Sequence, residues 1–432
     1  MTRVFFCTIS LFAGAFSVFA QVPEPTSTPV KLVVTDNTPK AAATRPRVSP
    51  TPIIVGAPGN TNVLPQPSTQ VPAEPRIFTP TTPALTPLES LNYKTLPFRD
   101  IKNKIAEAKR QMQTRPLTIA SVNTPMAGES VRIAFQDWDT NKIDYAVITK
   151  ESFLSVADEK LVSSEAGKQL RIRTIRGNGV NTPLVLIDGN GEAHLPLLVQ
   201  YPVVRNGVYH ETAYYMSTHP GLVNPEVVNA GRLYVRNVIE IARERLREKG
   251  ITVTPKIADI AERLSAVEHV DHMRFRTETH SKIFDDIFTL YALNEGQTYR
   301  YSVSSAGAGG MVQMIPSTYR MVRSWHPNVP LVPDFVEGMR NHLNAAQAML
   351  LYMNRTWNDL AASPTVMDAY TGGIATQEQL MAAGYNSNPA KIAGYIKRGG
   401  ENWTGLIPRE TKIYLQIYDS IERFVPMTAR TK

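Results

Sequence analysis

The sequence predicts an α+β protein of several parts: a Pro/Thr-rich tether, then a β-rich part, then an all-α part. Three observations predict it. About half of the 32 prolines fall between residues 22 and 90, short β-branched runs separated by turn residues occupy 92–220, and apolar residues at helical spacing with short connections occupy 221–432.

The chain opens Met1-Thr2-Arg3, continues as an uncharged, mostly apolar run over 4–19, and reaches Val18-Phe19-Ala20 before Gln21. A basic start, an apolar run short for a bilayer and a small residue at its end mark residues 1–20 as a signal peptide. Export to the periplasm or cell envelope is the expectation that follows. Cys7 is the chain's single cysteine and lies inside that run, so the processed chain has none. Disulfides, thiolate metal sites and cysteine nucleophiles are thereby excluded from it. No second apolar run is long enough to span a membrane, so no transmembrane segment is expected after cleavage. Residues 21–91 mix proline with Thr, Ser, Val, Gln and Ala and hold few aromatics. Such a stretch buries too little apolar surface to offset its ordering entropy, and it reads as a disordered linker. The formal charge of +8 is modestly basic and favours anionic envelope polymers. Dispersed Lys and Arg, together with export, argue against nucleic acid as a partner.

The β-rich part, 92–220, carries runs at 131–136, 144–149, 170–175, 183–188 and 195–204, separated by turns such as Arg176-Gly177-Asn178-Gly179 and Asp188-Gly189-Asn190-Gly191. A mostly antiparallel sheet is expected. Asp137, Asp139, Asp188 and Asn190 raise calcium, but the second turn lacks the rest of an EF-hand loop, so a hairpin is the better reading and no metal is expected. The part has no catalytic constellation. Binding of glycan strands and binding of an envelope protein partner both stand open for it.

The helical part, 221–432, begins with a helix over 225–249 that ends in basic residues before Gly250, followed by a second helix over about 255–273. A third, 281–294, repeats Ile283, Phe284, Ile287, Phe288, Leu290, Tyr291 and Leu293 on one wide face and leads into Glu295. A carboxylate at a helix C-terminus, partly shielded from water, is held toward its protonated form and suits a general acid. Downstream lies the small-residue run Ser304-Ser305-Ala306-Gly307-Ala308-Gly309-Gly310-Met311-Val312-Gln313, whose glycines let backbone lie close to a ligand. His269-Val270-Asp271-His272, with Glu268 adjacent, offers two imidazoles for a metal but no third ligand at a recognisable spacing. The chain has no Gly-x-Ser-x-Gly elbow, His-Glu-x-x-His or P-loop, which removes serine-esterase, zincin and nucleotide readings, and no cofactor is expected.

Glu295 and the small-residue run resemble the lytic transglycosylase domain of the soluble, goose-lysozyme-like type, in which a catalytic Glu is followed at this spacing by Ser-x-x-Gly-Ala-x-Gly-Leu-Met-Gln-x-Met-Pro. Ala369-Tyr370-Thr371-Gly372-Gly373 is similar to the family's Ala-Tyr-Asn-x-Gly, and Ile407-Pro408-Arg409-Glu410-Thr411-Lys412-Ile413-Tyr414 to its Leu-Pro-x-Glu-Thr-x-x-Tyr. The three blocks occur in order over about the last third of the chain. The resemblance implies a lysozyme-like catalytic fold with its core at about 280–425, no cofactor, and peptidoglycan glycan strands as partner. It implies cleavage of the β-1,4 bond between N-acetylmuramic acid and N-acetylglucosamine, leaving 1,6-anhydro ends, with Glu295 as acid and then base. By position it implies that Ser304, Gln313, Tyr370 and Thr371 line the sugar subsites and that Gly310 and Met311 bring backbone close. Glu410 would hydrogen-bond within the cleft. The chain departs from the pattern at Gly296, where Ser is usual, at Thr371, where Asn is usual, at Met311-Val312 and at Ile315. Two alternatives accompany this reading: a goose-type lysozyme hydrolysing the same bond, with Asp368 positioning water, and a non-catalytic glycan-binding or assembly protein.

Overall fold

The turn residues between the β-branched runs close antiparallel hairpins, and seven strands result: β1 Ser130–Asp137, β2 Lys142–Thr149, β3 Lys160–Ser163, β4 Gln169–Thr174, β5 Leu184–Asp188, β6 Ala193–Arg205 and β7 Val208–Tyr215. The computed structural model describes residues 87–115, 117, 129–205, 208–294 and 306–431. The expected signal peptide, nearly all of the expected linker, and Glu295, Gly296 and Ser304 lie outside these residues. The described residues all belong to one compact unit, 82–432.

The strands pair in the order β2-β1-β6-β5-β4-β3, with β7 against β6, all antiparallel. β6 is thirteen residues long and bonds to β1, β5 and β7 in turn, with register shifts at Ala134/Phe135 and Val203/Val204. Bulges of this kind bend a strand and add twist, so the sheet curls. In β4 the apolar Leu170 and Ile172 are buried and alternate with the half-buried Arg171 and Arg173, the period of a strand covered on one face. β5 is buried throughout because both faces are covered: Leu184 and Leu186 join the sheet core, while Val185 and Ile187 meet Leu88, Leu91 and Tyr93. The short β3 and the polar-edged β7, with only exposed or half-buried residues before Tyr215, are strands that the apolar runs do not announce.

Helices surround and follow the sheet: α1 Phe98–Thr114, α2 Lys150–Leu154, α3 Pro225–Glu248, α4 Pro255–Val267, α5 His272–Thr277, α6 His280–Leu293, α7 Pro316–Trp325, α8 Phe335–Arg340, α9 His342–Ala361, α10 Pro364–Thr371, α11 Gln377–Asn386, α12 Ile392–Gly399 and α13 Arg409–Phe424. The whole is an α+β fold. The helix α1 is absent from the sequence expectation, although Ile101, Ala108 and Met112 carry its buried face. α3 and α4 start alike: Asn224 and Thr254 accept hydrogen bonds from the backbone N–H groups of Val227 and Ile257, and Pro225 and Pro255 follow. α4 is buried on nearly every side and forms an axis of the helical core. The expected single helix over 255–273 breaks after Val267. The Asp271 side chain accepts from Met273 N and Arg274 N and thereby caps a new helix, α5.

Sheet and helices share a core. Ile101, Ala108 and Met112 of α1, Ala134, Leu195 and Leu197 of the sheet, Val227 of α3 and Ala292 and Leu293 of α6 form one apolar cluster. α3 and α6 approach so closely at Gly231 that a Cβ there would lie 1.8 Å from the Phe288 carbonyl oxygen.

Candidate functional site

The break between α4 and α5 leaves Glu268 one residue past the end of α4, in the wall of an open cavity of about 580 Å³. Its described lining also includes His272, Gln313, Thr318, Tyr352, Tyr385, Asn386, Glu410 and Tyr414, drawn from five helices and the small-residue turn. Glu268 is half-buried, reached from the cavity. Burial pushes its carboxyl up to about 8; the nearby Glu410 charge adds to this, and the hydrogen bond from Tyr414 opposes it. The Tyr414 hydroxyl donates to Glu268 Oε1 at 2.6 Å. Burial and the facing Glu268 carboxyl raise the Tyr414 phenol well above its ordinary range, so it stays a donor. A carboxylic acid that is protonated at neutral pH and can lose its proton onto a ligand without losing its hydrogen-bond donor is equipped for general acid chemistry.

The turn around Gln313 is built by its backbone. Gly310 has φ +70°, and a Cβ there would come 2.6 Å from the Met339 carbonyl oxygen. Gln313 is itself left-handed, at φ 45°, and its side-chain Nε2 donates to the Gly310 carbonyl at 2.9 Å. A bridge from Gly309 N to Met314 O at 3.2 Å closes the turn. Met311 is fully buried, and its carbonyl is taken from behind: His269 Nε2 donates to it at 3.1 Å, and the Tyr291 hydroxyl lies 3.2 Å away. Burial lowers His269 to about 4, so it acts here as a neutral donor. On the opposite wall, Tyr385 donates to the Val312 carbonyl at 2.7 Å, and its ring packs edge-on against Tyr352 at 5.7 Å. Thr411 donates to Asn386 Oδ1 at 2.9 Å, which turns the Asn386 amide N–H₂ away from that contact.

Of the residues expected in the site, Gln313 and Glu410 line this cavity together, Glu410 at its exposed rim in the first turn of α13. Gly310 and Met311 shape the turn from behind. Tyr370 and Thr371 do not reach the cavity lining: Tyr370 is 38% exposed on α10 with its ring against Trp357 at 5.6 Å, and the Thr371 hydroxyl returns to the Met367 carbonyl at 2.8 Å. The exposed Asp368 stands on the same helix, also outside that lining. The Tyr–Asn pair that does line the cavity is Tyr385-Asn386. Its dipeptide was a legible signal, since the Asn missing at Thr371 is present at Asn386. Glu268 was legible by the rule applied to Glu295, a carboxylate just beyond a strongly apolar helix, but the expectation of an unbroken helix to residue 273 hid it. Tyr414 is buried at 3% exposure, and Glu268 is the group that satisfies its hydroxyl.

Comparison of this chain with protein-family models, with curated proteins and with solved structures finds no match. The site is therefore read from its own geometry.

The paired histidines do not converge on one point. His269 faces Met311, His272 lines the cavity, and Asp271 caps α5. Among the described residues, Asp139, Asp188 and Glu192 do converge, with carboxylate oxygens within 4.8 Å of one another beside the β1–β2 and β5–β6 turns. Asp188 Oδ1 accepts from the backbone of Asn190 and Glu192, as a hairpin requires, while Lys168 pairs with Asp137 and Asp139, and Lys94 with Glu192. Among the described residues no helix is long and apolar enough to cross a membrane.

Proposed function

We propose that this chain is an exported peptidoglycan lytic transglycosylase with a lysozyme-like helical part, and that Glu268 is its acid and then its base. The observation that carries the reading is the half-buried Glu268, raised to about 8, hydrogen-bonded by Tyr414 and lining an open cavity of mixed polar and apolar walls. The sequence expectation gives this role to Glu295, which lies outside the described residues; Glu268 is the acid that the described part of the cavity offers. In the reaction, Glu268 donates its proton to the glycosidic oxygen as the bond from C1 to that oxygen breaks. The carboxylate left behind keeps the Tyr414 hydrogen bond. It then accepts the proton of the muramic acid C6 hydroxyl, whose oxygen closes onto C1, so Glu268 ends protonated and no water is consumed. Attack from within the same sugar has a large effective concentration, which lets one carboxyl serve twice. Gln313 and Asn386 present side-chain amides to the sugar, and Tyr352 and Tyr385 supply aromatic wall.

A second reading has one observation in its favour. Glu410 lines the same cavity and its charge bears on Glu268, the two-carboxyl arrangement that hydrolytic glycosidases use. Mass spectrometry of murein digested by the full chain separates the two, since anhydro products are one water lighter than hydrolytic ones. Anhydro products that vanish in Glu268→Gln support the proposal. Hydrated products would transfer the reaction to the hydrolytic reading; full activity in Glu268→Gln with none in Glu295→Gln would return the role to Glu295.

A further inference from the structure

A second cavity, of about 260 Å³, opens on the other side of Glu268 and shares Glu268 and Val270 with the first. Its far wall comes from the sheet: Arg176, Asn178 and Asn181 of the β4–β5 loop face Asp271, Arg274 and Asp286 of the helical part. The loop is held firmly in this place. Val180 packs against both the sheet core and the helical core, Ser217 donates to Asn181 Oδ1 at 2.7 Å, and Thr182 joins Asn178 N to Gly179 O through bonds of 2.8 and 2.7 Å. Gly177 permits the path, because a Cβ there would meet the Leu154 carbonyl oxygen at 2.3 Å.

The charges in this cavity differ in how far they are used. Arg274 is bound through Nε and Nη2 to Glu278 at 2.8 and 2.7 Å and also reaches Asp286 at 2.5 Å. Asp271 spends Oδ1 on two backbone N–H groups of α5 and has Oδ2 left over. Arg176 is half-buried yet makes no hydrogen bond or ion pair among the described residues. Burial works against its charge, and the Arg274 charge beside it adds to that, with Asp271, Asp286 and Glu278 opposing. A partly desolvated guanidinium without a partner is a fork that fits a carboxylate in two-point contact. With a spare carboxylate oxygen across the same cavity, the complementary ligand carries a carboxylate and an amine: a short zwitterionic peptide. If the first cavity holds a glycan strand, the group that hangs from that strand next to the cleaved bond is such a peptide.

We propose that the β-rich part completes the substrate cleft, its Arg176 loop forming a subsite for the strand's peptide, with Arg176 taking the carboxylate and Asp271 the amine. This rests on the glycan-cleaving reading of the first cavity. Binding of a synthetic N-acetylmuramoyl peptide that ends in a residue with a side-chain amine, measured on the full chain by calorimetry with its terminal carboxyl free or amidated, tests the subsite without turnover. Arg176→Gln weakens the free acid by about tenfold, the scale of one charge-assisted pair, and leaves the amide unaffected. Amidation weakens the wild type by the same factor, and this arm needs no variant to fold. In digestion, Arg176→Gln raises KM on murein that carries peptides more than it raises KM on strands stripped of peptide. Equal binding of acid and amide by the wild type, equal losses on both ligands in Arg176→Gln, or no binding by the wild type overturns the subsite. Peptide binding through Arg176 without cleavage of either murein would sink the cleavage reading alone; cleavage of both mureins at rates indifferent to Arg176 would sink the subsite alone.

Discussion

Replacing Glu268 with Gln keeps the side-chain shape and removes the titration, so its effect on stability is predictable from pH alone. In the folded chain burial raises this carboxyl from 4.5 to about 8. Between those values the native state holds a proton that the unfolded state has lost. Stability contributed by this proton is complete below pH 4.5, falls as pH rises through the window, and is gone above about 8. The slope is about 1.4 kcal/mol per pH unit, an upper limit of about 3 kcal/mol between pH 5 and 7. Water entering through the cavity mouth reduces this to about 1–3 kcal/mol. Glu268→Gln has no such slope, and every other titrating group is common to both proteins and cancels. Urea denaturation at pH 5, 6 and 7 therefore shows the variant gaining about 1–3 kcal/mol on the wild type across that range. Its rate on murein falls about 10²–10⁴-fold, the usual worth of a general acid. In the wild type, activity declines as pH passes above about 8 and the donor proton is lost. A stability difference that does not change between pH 5 and 7 would refute the buried-acid assignment whatever the activity.

Tyr414→Phe removes the hydrogen bond that favours the Glu268 carboxylate, so the alkaline limb of the pH–rate profile moves to higher pH while the rate at neutral pH drops about tenfold or more. An unmoved limb would separate Tyr414 from the acid. Gly231→Ala drives a methyl into the Phe288 carbonyl between α3 and α6 and costs about 3 kcal/mol by urea denaturation, whereas Gly189→Ala, with nothing within 4 Å, changes stability by about 0.5 kcal/mol or less. Arg430 is 4% exposed and pairs with Asp259, Glu262 and Glu240, fastening the segment after α13 to α3 and α4. Arg430→Met leaves the buried Asp259 without its ion pair and Glu262 with Arg236 alone, and lowers stability by about 3–5 kcal/mol by urea denaturation. A loss below about 1 kcal/mol would count against this account.

Where a local rule governed an element, the sequence was sufficient. Pro after Asn or Thr started α3 and α4, Gly250 followed the end of α3, and β-branched runs separated by turn residues became β1, β2, β4, β5 and β6. α1 is equally local, with its apolar residues Phe98, Ile101, Ile105, Ala108 and Met112 three and four apart. β3 and β7 were not legible, because edge strands with mixed faces owe their state to the neighbour they pair with. In the site, the small-residue turn and Glu410 were recognisable because their spacing is a property of the chain.

The choice among carboxylates was of another kind. Glu268 and Glu295 each follow an apolar helix, and in the sequence only the spacing to the small-residue run sets Glu295 apart. The proton affinity of Glu268 is set by Tyr414, 146 residues away, by Glu410 beside it, and by the burial that packing around α4 imposes. The same holds for Arg176, which lines a cavity together with Glu268 because Val180 packs against both cores. Periodicity, capping and turn chemistry act over a few residues, so sequence alone determined an α+β chain with a glycine-built turn. Burial and charge act through space, so only the tertiary structure brings Tyr414 onto Glu268 and sets both in one cavity wall.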